Sequence, residues 1–177
     1  MGAPLVDAAS EKELVGQARL GSTAALEGLV RRYYPGIHAY LSRMLGPQEA
    51  EDALQDVFIK MAQGLDRYED QDRFGGWLFR IAVNRARDLL RRRTGHAPAL
   101  PEPIAQPLLT GAEDNDGLTS AVRKLPSQLA EPLLLTYQDD LSQAEIADIL
   151  GISVAAVKMR VYRAIRQLRS LLKRDQP

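Results

Sequence analysis

The sequence predicts an all-α protein of two small helical domains joined by a flexible linker. Apolar residues recur every three or four positions along most of the chain, which is the period of amphipathic helices. No segment shows the apolar–polar alternation of a β-strand. The stretch 94–117 is rich in proline and acidic residues, a composition typical of an extended linker. The predicted domains therefore cover residues 10–93 and 118–173.

Composition excludes several classes of function. The 177 residues include no cysteine, which rules out disulfides, thiolate metal sites and cysteine nucleophiles and fits a cytoplasmic location. The two histidines, His38 and His96, have no partners at metal-ligand spacing. We therefore predict no catalytic residue, no metal site and no cofactor, and do not expect an enzyme. No apolar run of about 18 residues occurs and the N-terminus does not resemble a signal peptide, so no membrane insertion is expected.

Charge is unevenly distributed although the net charge is zero, with 23 basic and 23 acidic residues. The zero balance argues against indiscriminate binding of nucleic acid. Residues 94–117 contain acidic side chains and no Lys or Arg, whereas residues 153–173 contain no acidic side chain. The middle of the chain is therefore acidic and its C-terminal part is basic.

Two helices are predicted at the start of the first domain. One begins at Ser10, where Glu13 completes a capping box, and ends before Gly21. The other covers residues 23–45, and Pro35 is expected to kink or interrupt it because proline removes a helical hydrogen bond.

A third helix, residues 47–68, is strongly amphipathic. Its predicted buried stripe includes Phe58, while acidic and amide side chains lie outside the stripe: Glu51, Asp52, Gln55 and Asp56. Carboxylates near a helix N-terminus interact favourably with the helix dipole, and this is the simpler interpretation. The alternative is an acidic, partly apolar surface that docks a protein partner.

A fourth helix, residues 74–93, carries a polar stripe on an otherwise apolar sequence. The stripe follows from spacings of four, three and four residues, which place these side chains on one face: Arg80, Asn84, Arg87 and Arg91. Trp77 lies near the start of the helix. Aromatic rings beside arginines suit unstacked bases and a sugar-phosphate backbone. A core helix with a tryptophan anchor and a solvated basic side explains the pattern equally well.

The second domain ends in the signature of a helix-turn-helix, residues 141–172. Short helices are expected over residues 118–125 and from Ser127 onwards, before this motif. Ser142 and Glu145 form a capping box, and Gly151 suits the left-handed residue that ends a helix. Ser153 then caps a second helix after a very short link. Two short helices with a glycine in the turn define this motif.

The second helix of this motif separates into an apolar and a cationic face. At about 100° per residue, Val157, Val161, Ala164 and Leu168 fall on the core side. The opposite face is cationic and can contact phosphates or guanine edges; its candidate DNA-contacting residues are Lys158, Met159, Tyr162, Arg163 and Arg166. The alternative is a solvated basic face on an ordinary helical hairpin.

Several segments in this order resemble one family. They are AEDALQDVFIKMA, FGGWLFRIAVNRARDLLRR, the proline-rich linker, and LLLTYQDDLSQAEIADILGISVAAVKMRVYRAIRQLR. Together they resemble the bacterial RNA polymerase sigma factors of the extracytoplasmic-function group, which have two helical domains named sigma-2 and sigma-4. The resemblance covers residues 11–172. It implies a promoter-specificity subunit that binds core RNA polymerase through its β′ clamp and β subunits, binds promoter DNA and is controlled by an anti-sigma factor.

The resemblance also implies roles for particular residues. The third helix would dock on the β′ clamp, with Asp52, Gln55, Asp56 and Phe58 as interface candidates. The fourth would recognise and melt the minus-ten element, with candidates Trp77, Arg80, Asn84, Arg87 and Arg91. The last helix would read the minus-thirty-five element through Lys158, Met159, Tyr162, Arg163 and Arg166.

Some residues depart from the family pattern. Ala155 and Ala156 stand where relatives usually carry Gly-Thr, and Met159 replaces a commoner small polar residue, so the promoter sequence is not fixed by the resemblance. Two alternatives remain at this stage. One is a sigma-like decoy that sequesters an anti-sigma protein, and the other is a helix-turn-helix repressor.

Overall fold

The computed structural model describes residues 10–69, 73–94, 117–138 and 141–174, and within them the fold is all-α, as predicted. These residues form eight α-helices and a 3₁₀ turn at Leu65–Arg67, and they contain no strand. None of these helices is long and apolar enough to cross a membrane. The helices are α1 (Glu11–Arg19), α2 (Thr23–Leu45), α3 (Pro47–Gly64), α4 (Phe74–Thr94), α5 (Gly117–Arg123), α6 (Ser127–Thr136), α7 (Gln143–Leu150) and α8 (Val154–Arg174).

The first four helices pack around a shared apolar core. Helix α2 lies against α1, α3 and α4, and its apolar face is fully buried through Leu29, Ile37, Tyr40 and Leu41. The capping box predicted for α1 is present, since the Ser10 hydroxyl accepts from the Glu13 amide while the Glu13 carboxylate accepts from the Ser10 amide. The hydrogen bond that the Ser10 amide donates to the Glu13 carboxylate, and a second one from the Ser10 hydroxyl, lower the pKa of this carboxyl.

Helix α2 continues through Pro35 without interruption. A proline inside a helix costs about 3 kcal/mol because it removes a hydrogen bond and crowds the preceding turn. Here Tyr33 and Ile37 are buried on the core side, while Pro35 itself is exposed to solvent. Burial of the apolar stripe on both sides of the proline therefore keeps the two halves of the helix together.

Helices α5 to α8 form a second cluster, with α6 at its centre. Helix α6 packs against α7 and α8, and residues 130–135 are all buried. Helix α6 begins at Ser127, as predicted, and the residue before it, Pro126, makes no side-chain capping bond. The ring of Pro126 fixes the backbone angle φ of the residue before α6, but proline has no hydroxyl group that could accept a hydrogen bond from the first turn.

The predicted helix-turn-helix is confirmed in its local geometry. Ser142 and Glu145 form a complete capping box at the start of α7. Gly151 ends α7 with φ 69° and ψ 37°, in the left-handed region that residues with a Cβ rarely adopt. The Ser153 hydroxyl accepts from the amide of Ala156, 3.2 Å away, and caps α8. The two helices of the motif thus meet at a sharp, well-defined turn.

The two helical clusters contact one another. Helix α7 lies against α4, and α5 and α6 lie against α2. Most of the predicted linker, 94–117, lies outside the described residues, which resume at Gly117 after Thr94. The domain boundaries therefore stay predictions, and the contact between the clusters is made by helices.

Candidate nucleic-acid interface

The cationic face of α8 is presented to solvent. Its apolar side is held against the second cluster by Val157, Ala164 and Leu168, which are buried. The predicted DNA-contacting residues are all exposed: Lys158, Met159, Tyr162, Arg163 and Arg166. Met159 and Tyr162 are 51% and 59% exposed, which is unusual for such large apolar side chains. The face therefore combines cations with apolar groups, a mixture suited to phosphates and base edges.

The polar stripe of α4 lines a cleft against the helix-turn-helix. Arg80 and Asn84 are exposed, and Arg87 is half-buried. With residues 147–153 of α7 and the following turn, these three side chains line a cleft of about 720 Å³. Arg91, the last member of the predicted stripe, is exposed and forms an ion pair with Asp88 one turn away. The structure thus brings three of the four stripe residues to one site.

Arg87 makes the strongest polar contact of the site. Its Nε donates to Glu131 Oε1 at 2.9 Å and its Nη2 donates to Glu131 Oε2 at 2.7 Å, so the pair is bidentate. The hydrogen bond to Glu131 raises the pKa of the Arg87 guanidinium, and burial opposes that shift. The adjacent Tyr40 hydroxyl is fully buried, and its pKa is raised well above the usual value by burial first and by Glu131 second. No sequence signal linked Glu131 to Arg87, because the two residues lie in different helices.

Trp77 belongs to an aromatic cluster at the start of α4. Its ring centroid lies 5.2 Å from that of Tyr68 and 5.4 Å from that of Phe74. Tyr33 closes the cluster against Phe74 at 5.6 Å. Phe74 and Tyr68 are buried, and Trp77 is partly exposed. Trp77 therefore anchors the start of α4 and keeps one part of its ring accessible.

Of the predicted docking residues of α3, two side chains are exposed and two already contact other parts of the protein. Asp52 and Gln55 are exposed. Asp56 forms an ion pair with Arg85 of α4, and Phe58 is partly buried against the core. Ile59 was missed by the sequence analysis, although it lies outside the buried stripe and is 54% exposed. At about 100° per residue it falls between Asp52 and Gln55 on the same face.

No group of described residues could hold a metal ion. The arrangement around α4 and α8 instead offers cations, an amide and partly exposed aromatic rings. Groups of these types contact phosphates and bases in nucleic-acid-binding proteins.

Comparisons with known proteins identify the family. Residues 29–95 match Sigma-70 region 2, and residues 116–168 match Sigma-70, region 4. RNA polymerase sigma factor CarQ of Myxococcus xanthus is 35% identical over 161 residues, covering 87% of this chain and 92% of the relative. The ECF RNA polymerase sigma-E factor of Escherichia coli strain K12 is 30% identical over 173 residues, covering 88% and 90%. The chain belongs to the extracytoplasmic-function (ECF) group of RNA polymerase sigma factors.

Solved structures agree with this assignment. The structure of CnrH in complex with the cytosolic domain of CnrY superposes with a TM-score of 0.70 at 28% identity, covering 92% of this chain and 97% of CnrH. Sigma factor RpoE in complex with the anti-sigma factor NepR, from Bartonella quintana, gives 0.67 at 25% identity, covering 85% and 98%. The resemblance to sigma factors noted from the sequence is thereby confirmed, and so is the all-α fold.

The position of Trp77 predicts the effect of a small change at the end of α3. A Cβ on Gly64 would lie 2.9 Å from Trp77 Cζ2, so Gly64→Ala should displace the ring. We expect a loss of about 1–3 kcal/mol in the free energy of unfolding, as for overpacked cores. Trp77 is the single tryptophan, so its fluorescence spectrum should shift as well.

Gly16→Ala is the matched control, because nothing lies within 4 Å of a Cβ at Gly16. It should leave the spectrum unchanged and raise stability by about 0.5–1 kcal/mol, as expected for alanine replacing glycine in a helix. Equal spectra and equal stabilities for the two variants would contradict the close packing of Trp77 on Gly64.

Proposed function

We propose that this chain is a promoter-specificity subunit that binds core RNA polymerase and directs sequence-specific transcription initiation. The observation that carries the proposal is membership of the ECF sigma family, and two polar, cationic surfaces, the α4 stripe and the α8 face, support it. The chain itself performs no bond-making step. Since its partners would be the polymerase and chromosomal DNA, its place of action would be the cytoplasm.

The α8 face is proposed to read the minus-thirty-five element. Arg163 and Lys158 carry donors that match guanine O6 and N7 or phosphate oxygens. Met159 and Tyr162 offer exposed apolar surface that can contact the methyl group of thymine. Arg166, about one turn further on, is placed for the phosphate backbone. Ala155 and Ala156 lie in the first turn of α8 and have no side-chain hydrogen-bond donor. The promoter preference should therefore differ from that of relatives that carry Gly-Thr at these positions.

The α4 stripe is proposed to capture the unpaired non-template strand at the minus-ten element. Opening a duplex costs pairing and stacking energy, which is offset when a protein stacks or hydrogen-bonds the released bases. Asn84 offers both a donor and an acceptor to a base edge. Arg80, Arg87 and Arg91 supply cations for the sugar-phosphate track, and the accessible part of Trp77 offers a stacking surface.

The outer face of α3 is proposed to dock on the β′ clamp. Asp52 and Gln55 are exposed there, with Ile59 between them on the same face. An exposed apolar residue flanked by polar groups is a typical centre for a protein interface. Asp56 and Phe58 would contribute at the edge, since Asp56 is already paired with Arg85 and Phe58 is partly buried.

An anti-sigma factor is the proposed regulator. The structures of CnrH with CnrY and of RpoE with NepR are complexes, and the latter partner is an anti-sigma factor. Both superpose on most of this chain. A partner that covers the surfaces on α3 or α4 would block polymerase binding or promoter opening.

Transcription with purified core RNA polymerase and a promoter library tests the function. Arg163→Ala should reduce transcription from promoters with the preferred minus-thirty-five element by about 10- to 100-fold, corresponding to about 1–3 kcal/mol for a bidentate base contact. Arg169→Ala is the control, because Arg169 is exposed on the same helix beyond the reading set. Absence of any transcript with the wild-type chain would refute the function, and binding to duplex DNA alone would indicate a repressor.

The docking face is tested by charge reversal. Asp52→Arg should weaken binding to core polymerase at least about tenfold, because it places a cation where the clamp would meet an acid. Glu27→Arg makes the same change of charge at an exposed position of α2 and should leave the affinity unchanged. Fluorescence anisotropy of the labelled chain measures both affinities. Identical weakening by the two variants would show a non-specific charge effect and remove α3 from the interface.

A further inference from the structure

The methionines of this chain differ sharply in their exposure to solvent. Met44 and Met61 lie in the core of the first cluster and are 1% and 0% exposed. Met159, on the cationic face of α8, is 51% exposed, and Met1 lies outside the described residues. A dissolved oxidant must reach the thioether sulfur before it can react. Among the described methionines, Met159 is therefore by far the most accessible to oxidation.

The chain offers an oxidant no thiol, because it contains no cysteine. Cysteine thiolates are the nucleophilic sulfur groups that oxidants convert to sulfenic acids or disulfides, and they would compete with a thioether for the oxidant. Without them, sulfur oxidation in this protein takes place at methionine. An exposed thioether on a proposed DNA-reading face is thus the sulfur whose oxidation has a direct route to function.

The surroundings of Met159 suit an oxidised side chain. At about 100° per residue, Arg163 and Arg166 fall within about 40° of Met159 on α8. Both arginines are exposed, and residues 153–173 include no acidic side chain. The oxygen of a methionine sulfoxide is polar and accepts hydrogen bonds, and side chains one helical turn apart are close enough to interact. A guanidinium group can therefore donate to the sulfoxide.

Oxidation would change the chemistry of the α8 face at its centre. Met159 and Tyr162 are the large apolar side chains that this face exposes beside its cations. A sulfoxide is polar and chiral, so contact between Met159 and the methyl group of thymine would be lost. An Arg163 donor that is engaged by the sulfoxide oxygen is also no longer available to a guanine edge or a phosphate. Both effects weaken the reading of the same element.

We propose that Met159 is a site of reversible oxidation by hydroperoxides, and that its sulfoxide lowers transcription from the promoters that the reduced chain prefers. The inference rests on the proposed role of α8 in reading the minus-thirty-five element. It adds a covalent control of that same site, located in a single side chain.

The reaction consumes one hydroperoxide for each methionine. A lone pair of Met159 Sδ attacks one peroxide oxygen, so a sulfur–oxygen bond forms while the oxygen–oxygen bond breaks. The sulfur is oxidised by two electrons to the sulfoxide. The other oxygen leaves with both electrons of the broken bond and takes up the proton of the transferred hydroxyl group. With hydrogen peroxide as the oxidant, the second product is therefore water.

Mass spectrometry of the peroxide-treated chain tests the selectivity of the reaction. Cleavage after glutamate separates the four methionines into different fragments, residues 1–11, 28–49, 52–69 and 146–177. We expect the Met159 fragment to gain one oxygen atom at least about tenfold faster than the fragments with Met44 and Met61, because buried groups react only when the fold opens. Equal rates at the three positions would overturn the inference.

Transcription tests the consequence of oxidation. The purified chain is treated with hydrogen peroxide, freed of oxidant with catalase, and then mixed with untreated core RNA polymerase and a preferred promoter. We expect at least about fivefold less run-off transcript than from the untreated chain, because an apolar contact with the duplex is lost. Methionine sulfoxide reductases should restore the yield. An unchanged yield with Met159 fully oxidised would overturn the inference, whereas a silent untreated chain would refute the sigma function itself.

Met159→Leu and Met44→Leu form a matched pair for this assay. Leucine cannot form a sulfoxide, so peroxide should change the yield of Met159→Leu by less than about twofold, whatever that yield is before treatment. Met44→Leu replaces a buried methionine with a side chain of similar volume and keeps Met159. Its yield should fall on treatment as that of the wild type does. Equal responses of the two variants to peroxide would overturn the assignment to Met159.

Met159→Gln imitates the sulfoxide without an oxidant. The glutamine amide places a polar oxygen acceptor on a side chain of similar length. We expect this variant to give about as little transcript as the oxidised wild type, and peroxide to lower its yield no further. A yield equal to that of the untreated wild type would contradict the proposed effect of a polar group at this position.

Discussion

The bidentate pair between Arg87 and Glu131 is the interaction on which the arrangement of this protein depends. It joins a helix of each cluster and places a nearly buried carboxylate against a cation of the α4 stripe. Neither partner is satisfied by its own helix. Removal of Arg87 would leave the Glu131 carboxylate buried without its cation, which is strongly unfavourable. One contact therefore links the placement of the second cluster to the hydrogen bonding of a cation in the α4 stripe.

The α8 face and the α4 stripe have different surroundings. The α8 face has no acidic neighbours on its own helix, and its cations are exposed together with Met159 and Tyr162. The α4 stripe lies beside an aromatic cluster that fixes the start of the helix, and three of its side chains line an open cleft against the helix-turn-helix.

Local features of the fold could be predicted from the sequence because they depend on neighbouring residues. The capping boxes at Ser10 and Ser142, the left-handed Gly151 and the exposed face of α8 all follow from spacing within one or two helical turns. The partner of Glu131 could not be predicted, since it depends on how two distant helices meet. Likewise, continuity of α2 through Pro35 reflects burial on both sides of it, which outweighs the local preference. The exposure of Ile59 becomes informative only when the buried stripe of α3 is known.

The distance between the two clusters tests the central claim most directly. Nitroxide labels on cysteines introduced at Ala24 of α2 and Gln128 of α6, both exposed positions, can be measured by double electron–electron resonance in the full-length chain. We predict one narrow distance distribution in the free protein, because the two clusters are held in contact. A broad distribution, or several separate distances, would contradict the account.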